Sequence, residues 1–242
     1  MIFKSEQKPG IIGIGPDGRV SNEMLMEMMV NTASEHSDAA GYGINDIKRT
    51  NIIFLLIDWY VKVDKRPVYG DKLEVCTWGR DISRTIINRD FEIRDKQSGE
   101  VLVRASSSWV AFEPDKRKIA RITEEIYEPF GPETKKLFDG KDVFLRGREK
   151  IDEVILTAPF QPKRDRLDVV GHVHNTAYMA IAEDVLPDEV YEKVPFDEFR
   201  IHYKKEIGRD EKVSCAYGLI DGKHSVSITN SEGVENALIQ MW

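Results

Sequence analysis

An internal repeat is the sequence feature that most restricts the fold. The segment GDKLEVCTWG at residues 70–79 aligns with RDEKVSCAYG at residues 209–218, which places Cys76 on Cys215. Each segment follows a predicted helix and precedes further predicted strands in the same order. Chance similarity between two strands would not bring their neighbours into the same order, so a repeated supersecondary unit is the simplest explanation.

The first copy begins with a long helix. Apolar residues recur at helical spacing from Ser21 to Ala40, and Gly41 and Gly43 provide a stop signal. Period-two patterns then predict strands at Ile52–Val63, Leu73–Arg80, Thr85–Arg94 and Val101–Phe112. One long helix followed by antiparallel strands is typical of an α+β domain whose sheet wraps around the helix.

The second copy follows a charged, irregular stretch and has the same order. A short apolar segment at residues 157–160 precedes a predicted helix from about Thr176 to Leu186. Four strands are then predicted at residues 199–204, 212–220, 225–229 and 235–241. The sequence therefore predicts an N-terminal domain at 1–135, a linker at 136–150 and a C-terminal domain at 151–242.

Composition excludes several functional classes. The net charge of −7 over 242 residues disfavours nucleic acid as the main partner. The segment MIFKSEQKPG lacks the apolar region of a signal peptide and no membrane span is predicted, so we expect a cytoplasmic protein. Cys76 and Cys215 lie in strand patterns that fit buried thiols better than a disulfide. No nucleotide-binding motif is present, and no cofactor is predicted.

The clearest candidate for chemistry is RLDVVGHVHNTAYM at residues 166–179, where Asp168 and His172 precede the second helix. Free amides at the helix start, near His174–Thr176, would suit an oxyanion. Glu206 follows the next strand and is the candidate for a second carboxylate. A thioester is already activated, so a positioned carboxylate can act as general base on water without a covalent intermediate.

Each of these residues also has a plain structural explanation. Asp168 could cap a turn, His172 could be a structural histidine, and Glu206 could be a surface charge. The pair His172 and His174, with Asp168, could also ligate a metal, but no nearby residue completes a site and none is predicted. A serine hydrolase is disfavoured because no G-x-S-x-G motif occurs, and Cys215 as a nucleophile is unsupported.

At these residues the sequence resembles the acyl-acyl carrier protein thioesterases of plants and bacteria, over nearly the whole chain. The similar segments are DWYVKVDKRPVYGDKLEVCTW at 58–78, RLDVVGHVHNTAYM at 166–179 and HYKKEI at 202–207. The resemblance implies a tandem of two hotdog folds. It also implies hydrolysis of fatty acyl thioesters on acyl carrier protein to free fatty acid and carrier thiol, ending fatty acid synthesis.

The family's active-site motif is Asp-x-Asn-x-His with a later Glu. By this resemblance Asp168, His172 and Glu206 are the catalytic residues, while Val170 stands at the Asn position. After the catalytic His, where the family has paired Asn residues, this chain has His174 and Asn175. By the resemblance, Val170, His174 and Asn175 are therefore candidate auxiliary residues of the site. The resemblance also implies an acyl-chain pocket in the N-terminal hotdog against its helix, at Leu25, Met28, Met29, Thr32 and His36.

Acyl carrier protein is strongly acidic, so docking on this acidic chain needs a local basic patch. The candidate residues flank the proposed site and are Lys163, Arg164, Arg166, Lys204, Lys205 and Arg209. Two alternatives stay open, namely an acyl-coenzyme A thioesterase of the same fold and an acyl-binding protein without activity. A hotdog hydratase is disfavoured by the spacing of Asp168 and His172, and a homodimer is left open.

Overall fold

Residues 1–138, 143–145, 149–168 and 170–242 are described by the structure, a computed structural model. The chain divides into two units, of which the first comprises Met1–Ile57 and Val61–Asp142 and the second comprises Asp58–Tyr60 and Val143–Trp242. Of the predicted linker at 136–150, residues 139–142 and 146–148 lie outside the described residues. The predicted domain boundaries therefore stay a prediction.

The first unit combines a long helix with an antiparallel sheet. Its helices are α1 Asn22–Ala39, α2 Ile47–Thr50 and α3 Glu124–Tyr127. Its strands are β1 Phe3–Gln7, β2 Ile53–Val63, β3 Leu73–Ile82, β4 Ile86–Asp95, β5 Val101–Glu113 and β6 Lys118–Ile119. The strand order is β1-β3-β4-β5-β2, with β6 on β5, and the ladders from β1 to β5 are antiparallel.

Helix α1 forms where the sequence predicts it. Ser21 caps its start by accepting a hydrogen bond from the Met24 amide at 3.2 Å, and Gly41 follows its end with φ of +76°. Its buried side includes Leu25, Met29 and further apolar residues, and the helix contacts β1 and β3. The sheet thus packs along the apolar side of the helix.

The second unit has the same order of elements. Its helices are α4 Ala177–Glu183 and α5 Asp188–Tyr191. Its strands are β7 Val154–Phe160, β8 Glu198–Tyr203, β9 Val213–Ile220, β10 Lys223–Asn230 and β11 Glu235–Met241. They are ordered β7-β9-β10-β11-β8 in antiparallel ladders, and α4 contacts β11. No helix in the described part of the chain is long and apolar enough to cross a membrane.

The predicted repeat and the α+β class are confirmed. In both units the strands, numbered along the chain, lie across the sheet in the order first, third, fourth, fifth and second. Cys76 in β3 and Cys215 in β9 occupy matching strands, and both are buried free thiols. Burial raises the pKa of each thiol to about 11, so neither is an activated nucleophile at neutral pH.

Several element boundaries differ from the prediction by a few residues; for example, β3 ends at Ile82 rather than Arg80, and β7 begins at Val154, before the apolar segment at residues 157–160. Helix α4 ends at Glu183 rather than Leu186, and Pro187 accounts for Leu186 being outside the helix because proline disfavours helical geometry at the residue before it. Strand β1 is not predicted, since its five residues, FKSEQ, contain one apolar side chain. The turn at Asp221 and Gly222 is confirmed, with φ of 51° and 74° at these residues.

Candidate active site

A tight loop carries the predicted motif in the second unit. Leu167 and Val173 form an isolated antiparallel bridge, and the Asp168 amide donates to the His172 carbonyl at 2.8 Å. The Asp168 carboxylate closes the loop from inside, because its Oδ1 accepts from the amides of Val170 at 2.9 Å and His172 at 3.0 Å. Gly171 adopts φ of +87°, a conformation that favours glycine.

This geometry changes the role expected for Asp168. By resemblance Asp168 is a catalytic residue, whereas the hydrogen bonds that its carboxylate accepts come from the backbone amides of Val170 and His172. The simpler alternative, in which Asp168 caps a turn, describes these contacts. Asp168 therefore positions the loop that carries His172 rather than the imidazole ring itself.

His172 and Glu206 are brought together across a second short pairing. His172 forms an antiparallel bridge with Gly208, and the Val173 amide donates to the Ile207 carbonyl at 2.9 Å. In such a pairing, residues offset by two positions lie on the same face, which directs Glu206 towards His172. His172 Nδ1 lies 3.8 Å from Glu206 Oε2, with the side chains 38% and 56% exposed respectively.

Three further residues hold this arrangement and were missed in the sequence. Asn236, fully buried in β11, donates from Nδ2 to the Glu206 carbonyl at 3.2 Å and to the Lys205 carbonyl at 3.4 Å. Tyr178 in α4 accepts from the Ile207 amide at 3.1 Å, and Tyr203 donates to the Asn175 carbonyl at 2.7 Å. The available sequence signal for the first of them was an amide side chain, Asn236, directly before the apolar run of residues 237–239 in β11.

The predicted oxyanion site is only partly available. The His174 amide already donates to the Arg166 carbonyl at 2.9 Å, so the prediction fails for this amide. Asn175 and Thr176 remain as candidate donors before α4. The side chain of Val170 is 66% exposed at the loop tip, and His174 is exposed as well. Within the described residues, no group of three His, Cys, Asp or Glu side chains is arranged to hold a metal.

The predicted docking residues belong to the second unit and differ in availability. Lys163, Arg164, Lys205 and Arg209 are exposed, whereas Arg166 is partly buried. Lys204 forms an ion pair with Glu235, which neutralises part of its charge. The exposed members are therefore the ones available to an acidic partner.

The first unit contains an apolar cavity of about 350 Å³ near the C-terminal end of α1. This volume falls in the range of about 300–1,000 Å³ that is typical of small-molecule sites. The lining includes Ile52, Phe54, Ile87, Trp109 and Phe130.

The lining does not include the five predicted pocket residues. Leu25, Met28, Met29, Thr32 and His36 are buried along α1, and the lining residues of the helix are Ala33, Ser34, Ser37 and Asp38. The helix is therefore at the cavity, but the predicted residues pack in the core beside it. Burial lowers the pKa of His36 to about 4, so this ring is neutral at neutral pH.

Together, the two repeated helix-on-sheet units define the fold class as a double hotdog. The chain matches the family models described as acyl-ACP thioesterase N-terminal domain at residues 3–130 and acyl-ACP thioesterase C-terminal domain at residues 149–241. The chain belongs to the acyl-ACP thioesterase family.

Individual relatives agree with this assignment. The chain is 31% identical over 223 residues to a palmitoyl-acyl carrier protein thioesterase of Arabidopsis thaliana, covering 87% of this chain and 53% of the relative. It is 30% identical over 219 residues to an acyl-[acyl-carrier-protein] hydrolase of Cuphea viscosissima, with the same coverage. The chain thus spans about half the length of the curated relatives it matches.

Solved structures share the fold. The 12:0-ACP thioesterase from Umbellularia californica superposes with a TM-score of 0.84 at 23% identity, covering 99% of this chain and 96% of that one. An acyl-ACP thioesterase from Bacteroides thetaiotaomicron superposes with a TM-score of 0.86 at 20% identity, with the same coverage of both chains. The tandem double hotdog expected from the sequence is confirmed by these likenesses.

Proposed function

We propose that this chain hydrolyses fatty acyl thioesters on acyl carrier protein, releasing a free fatty acid and the carrier thiol. The observation that carries the proposal is the pair of His172 and Glu206, whose Nδ1 and Oε2 atoms lie 3.8 Å apart, with His172 on a loop closed by Asp168. Family membership supports the substrate class, since the matched relatives are named acyl carrier protein thioesterases or hydrolases. The reaction would end fatty acid synthesis.

The pair supports attack by water. Nδ1 is the ring nitrogen facing Glu206, so a tautomer with hydrogen on Nδ1 would leave Nε2 free to take a proton from water. The water oxygen then bonds to the thioester carbon, and collapse of the tetrahedral oxyanion breaks the carbon–sulfur bond and returns a proton to the thiolate. The separation of 3.8 Å exceeds a hydrogen bond, as is common before substrate binds.

Release of thiol and acid tests the reaction directly. The purified chain would be given octanoyl, dodecanoyl and hexadecanoyl carrier protein, and both products would be measured. We expect free thiol and free acid in equal amounts for at least one chain length. Binding of the acyl carrier without release of thiol would instead support the alternative of an acyl-binding protein.

The carrier is tested by presenting one acyl chain on two thiols. Exposed basic residues such as Lys163 and Arg164 favour acidic acyl carrier protein through long-range attraction. We expect a higher kcat/KM on acyl carrier protein than on coenzyme A, with an advantage that shrinks as salt is added. Equal values at all salt concentrations would favour an acyl-coenzyme A thioesterase. The cytoplasmic location stays a prediction.

A further inference from the structure

Arg89 is an unusual residue for the wall of an apolar cavity. It lies in β4 between Ile87 and Phe91 on the face that alternation directs inward, and it is only 6% exposed. Its guanidinium lies over the Phe130 ring, with Cζ 5.7 Å from the ring centroid. Arginine is almost never buried without a partner, because desolvating an unpaired charge is costly.

The partners of Arg89 in the described residues are neutral. Its Nη1 lies 3.1 Å from His36 Nδ1 and donates to Thr77 Oγ1 at 3.2 Å. Burial lowers the pKa of Arg89 to about 10, which leaves it charged at neutral pH. Asp38 also lines the cavity but forms no ion pair with Arg89 within the part of the chain that the structure describes.

The neighbouring buried charged residues of the same strand form ion pairs, unlike Arg89. Asp90 pairs with Arg80 Nε at 3.1 Å, and Glu92 pairs with Lys135 at 2.7 Å. Both acidic side chains therefore have an internal counter-ion. Among the described buried charges of β4, Arg89 is the one whose charge is left uncompensated beside a cavity.

In the second copy of the internal repeat the same ladder forms without this charge. Arg89 is opposite Gly79 in the β3–β4 ladder, and the matching position opposite Gly218 in the β9–β10 ladder is Ser225. Ser225 is fully buried and donates to the Lys223 carbonyl at 3.1 Å. A small, internally satisfied residue thus fills the same topological position in the second unit.

We infer that the cavity is a binding site for an aliphatic carboxylate, whose apolar chain packs on Ile52, Phe54 and Trp109 and whose carboxylate pairs with Arg89. A guanidinium presents several donors in a fixed fork, which suits a carboxylate better than a neutral oxygen. Two sources share this chemistry: a free fatty acid, and the distal carboxyl of an acyl chain that carries one. The choice between these sources rests on the proposed function, whereas the binding site itself does not.

Binding is tested by titration calorimetry on the full chain at neutral pH, comparing octanoate with octanol. We expect octanoate to bind at least about tenfold more tightly, the lower end of what a charge-assisted hydrogen bond contributes. Arg89→Met should abolish this preference and Arg89→Lys should keep part of it. Arg104→Met is the matched control, because Arg104 belongs to the same sheet and pairs with Asp64 at 2.7 Å.

Equal affinity of the wild type for octanoate and octanol would overturn the inference, as would a preference that survives in Arg89→Met. Melting temperature separates a binding role from a structural one. Replacing an unpaired buried charge by an apolar side chain should leave stability unchanged or raise it. If Arg89→Met fails to fold, its guanidinium is structural and the inference fails unless Arg89→Lys folds and retains a reduced preference.

Hydrolysis assays distinguish the two sources. If a free fatty acid is bound, octanoate should inhibit hydrolysis and Arg89→Met should relieve the inhibition. If a distal carboxyl is bound, a carrier thioester of octanedioic acid should have a lower KM than octanoyl carrier protein, and Arg89→Met should reverse this order. Absence of all thiol release would refute the proposed function but leave the binding comparison intact.

Discussion

Replacing Glu206 by Gln tests the chemistry of the site most directly, because it removes the charge and keeps the shape. At 3.8 Å from His172 Nδ1, a unit charge on Glu206 would stabilise an imidazolium by about 1 kcal/mol at the dielectric constant of water. The same pair is worth about 4 kcal/mol at an effective dielectric constant of about 20. Those limits correspond to roughly fivefold and nearly a thousandfold in rate.

We expect kcat to fall about a hundredfold in Glu206→Gln, between these limits, because a bound acyl carrier excludes part of the water. The melting temperature should hardly change, since the Glu206 side chain is 56% exposed. Glu232→Gln is the matched control, as Glu232 is exposed in the turn between β10 and β11. The assay is thiol release from dodecanoyl carrier protein with both kcat and KM determined.

Near-normal turnover in Glu206→Gln would remove Glu206 from the site. A comparison with His172→Gln assigns the proton. If His172 is the base and Glu206 its support, His172→Gln should lower kcat more than Glu206→Gln does. The opposite order would make Glu206 the base and refute the roles proposed for the two residues.

Three further substitutions test other parts of the structure. Asp168→Asn should lower kcat less than about tenfold, because the amide oxygen of Asn can still accept from the Val170 and His172 amides. A loss of kcat as large as that of Glu206→Gln would instead assign Asp168 a direct catalytic role. Val170→Asn should raise kcat by up to roughly a hundredfold if the missing amide donor limits the reaction. The melting temperature should not change, because Val170 is 66% exposed. An unchanged kcat would show that the amide donor is not limiting. The pKa of His36 falls from 6.5 in the unfolded chain to about 4 in the folded chain, so between pH 6.5 and about pH 4 the unfolded state binds more protons. The free energy of unfolding should therefore decrease as the pH falls through this range, by up to about 3 kcal/mol. His36→Gln should flatten that part of a plot of melting temperature against pH, and equal slopes would contradict the assignment.

Elements with a strong period could be predicted from the sequence, and short or polar ones could not. Helix α1 and strands β2 to β5 carry enough alternating or helical pattern for their existence to be read directly. Strand β1 is short and mostly polar, so its place at the sheet edge depends on pairing with β3 rather than on its own residues.

The candidate site shows a similar division. Residue chemistry and family resemblance identified His172 and Glu206, but not the partner of the Asp168 carboxylate, because loop hydrogen bonds depend on backbone angles such as that of Gly171. The burial of Arg89 could not be predicted either. A charged residue within an alternating apolar pattern is normally assigned to the surface, whichever face it lies on. Its environment follows from the ladder with β3 and β5.

The internal repeat separates what the fold needs from what chemistry needs. In the first unit a loop with the same hydrogen bonds precedes α1: Ile14 bridges Val20, and the Gly15 amide donates to the Arg19 carbonyl at 2.8 Å, as Asp168 does to His172 in the second unit. Gly15 and Arg19 therefore occupy the positions of Asp168 and His172.

The pairing beside the loop is repeated as well. Arg19 bridges Val68 just as His172 bridges Gly208, which places Arg66 at the position of Glu206. The same backbone thus forms in the first unit with a glycine and two arginines in place of the acidic and imidazole groups. The loop of the first unit is also closed by a carboxylate, since Asp17 Oδ1 accepts from the Arg19 amide at 3.0 Å, as Asp168 Oδ1 does from the His172 amide. Neither His172 nor Glu206 has such a part in closing the loop, so their occurrence together in the second unit is better explained by a reaction at that loop than by stability.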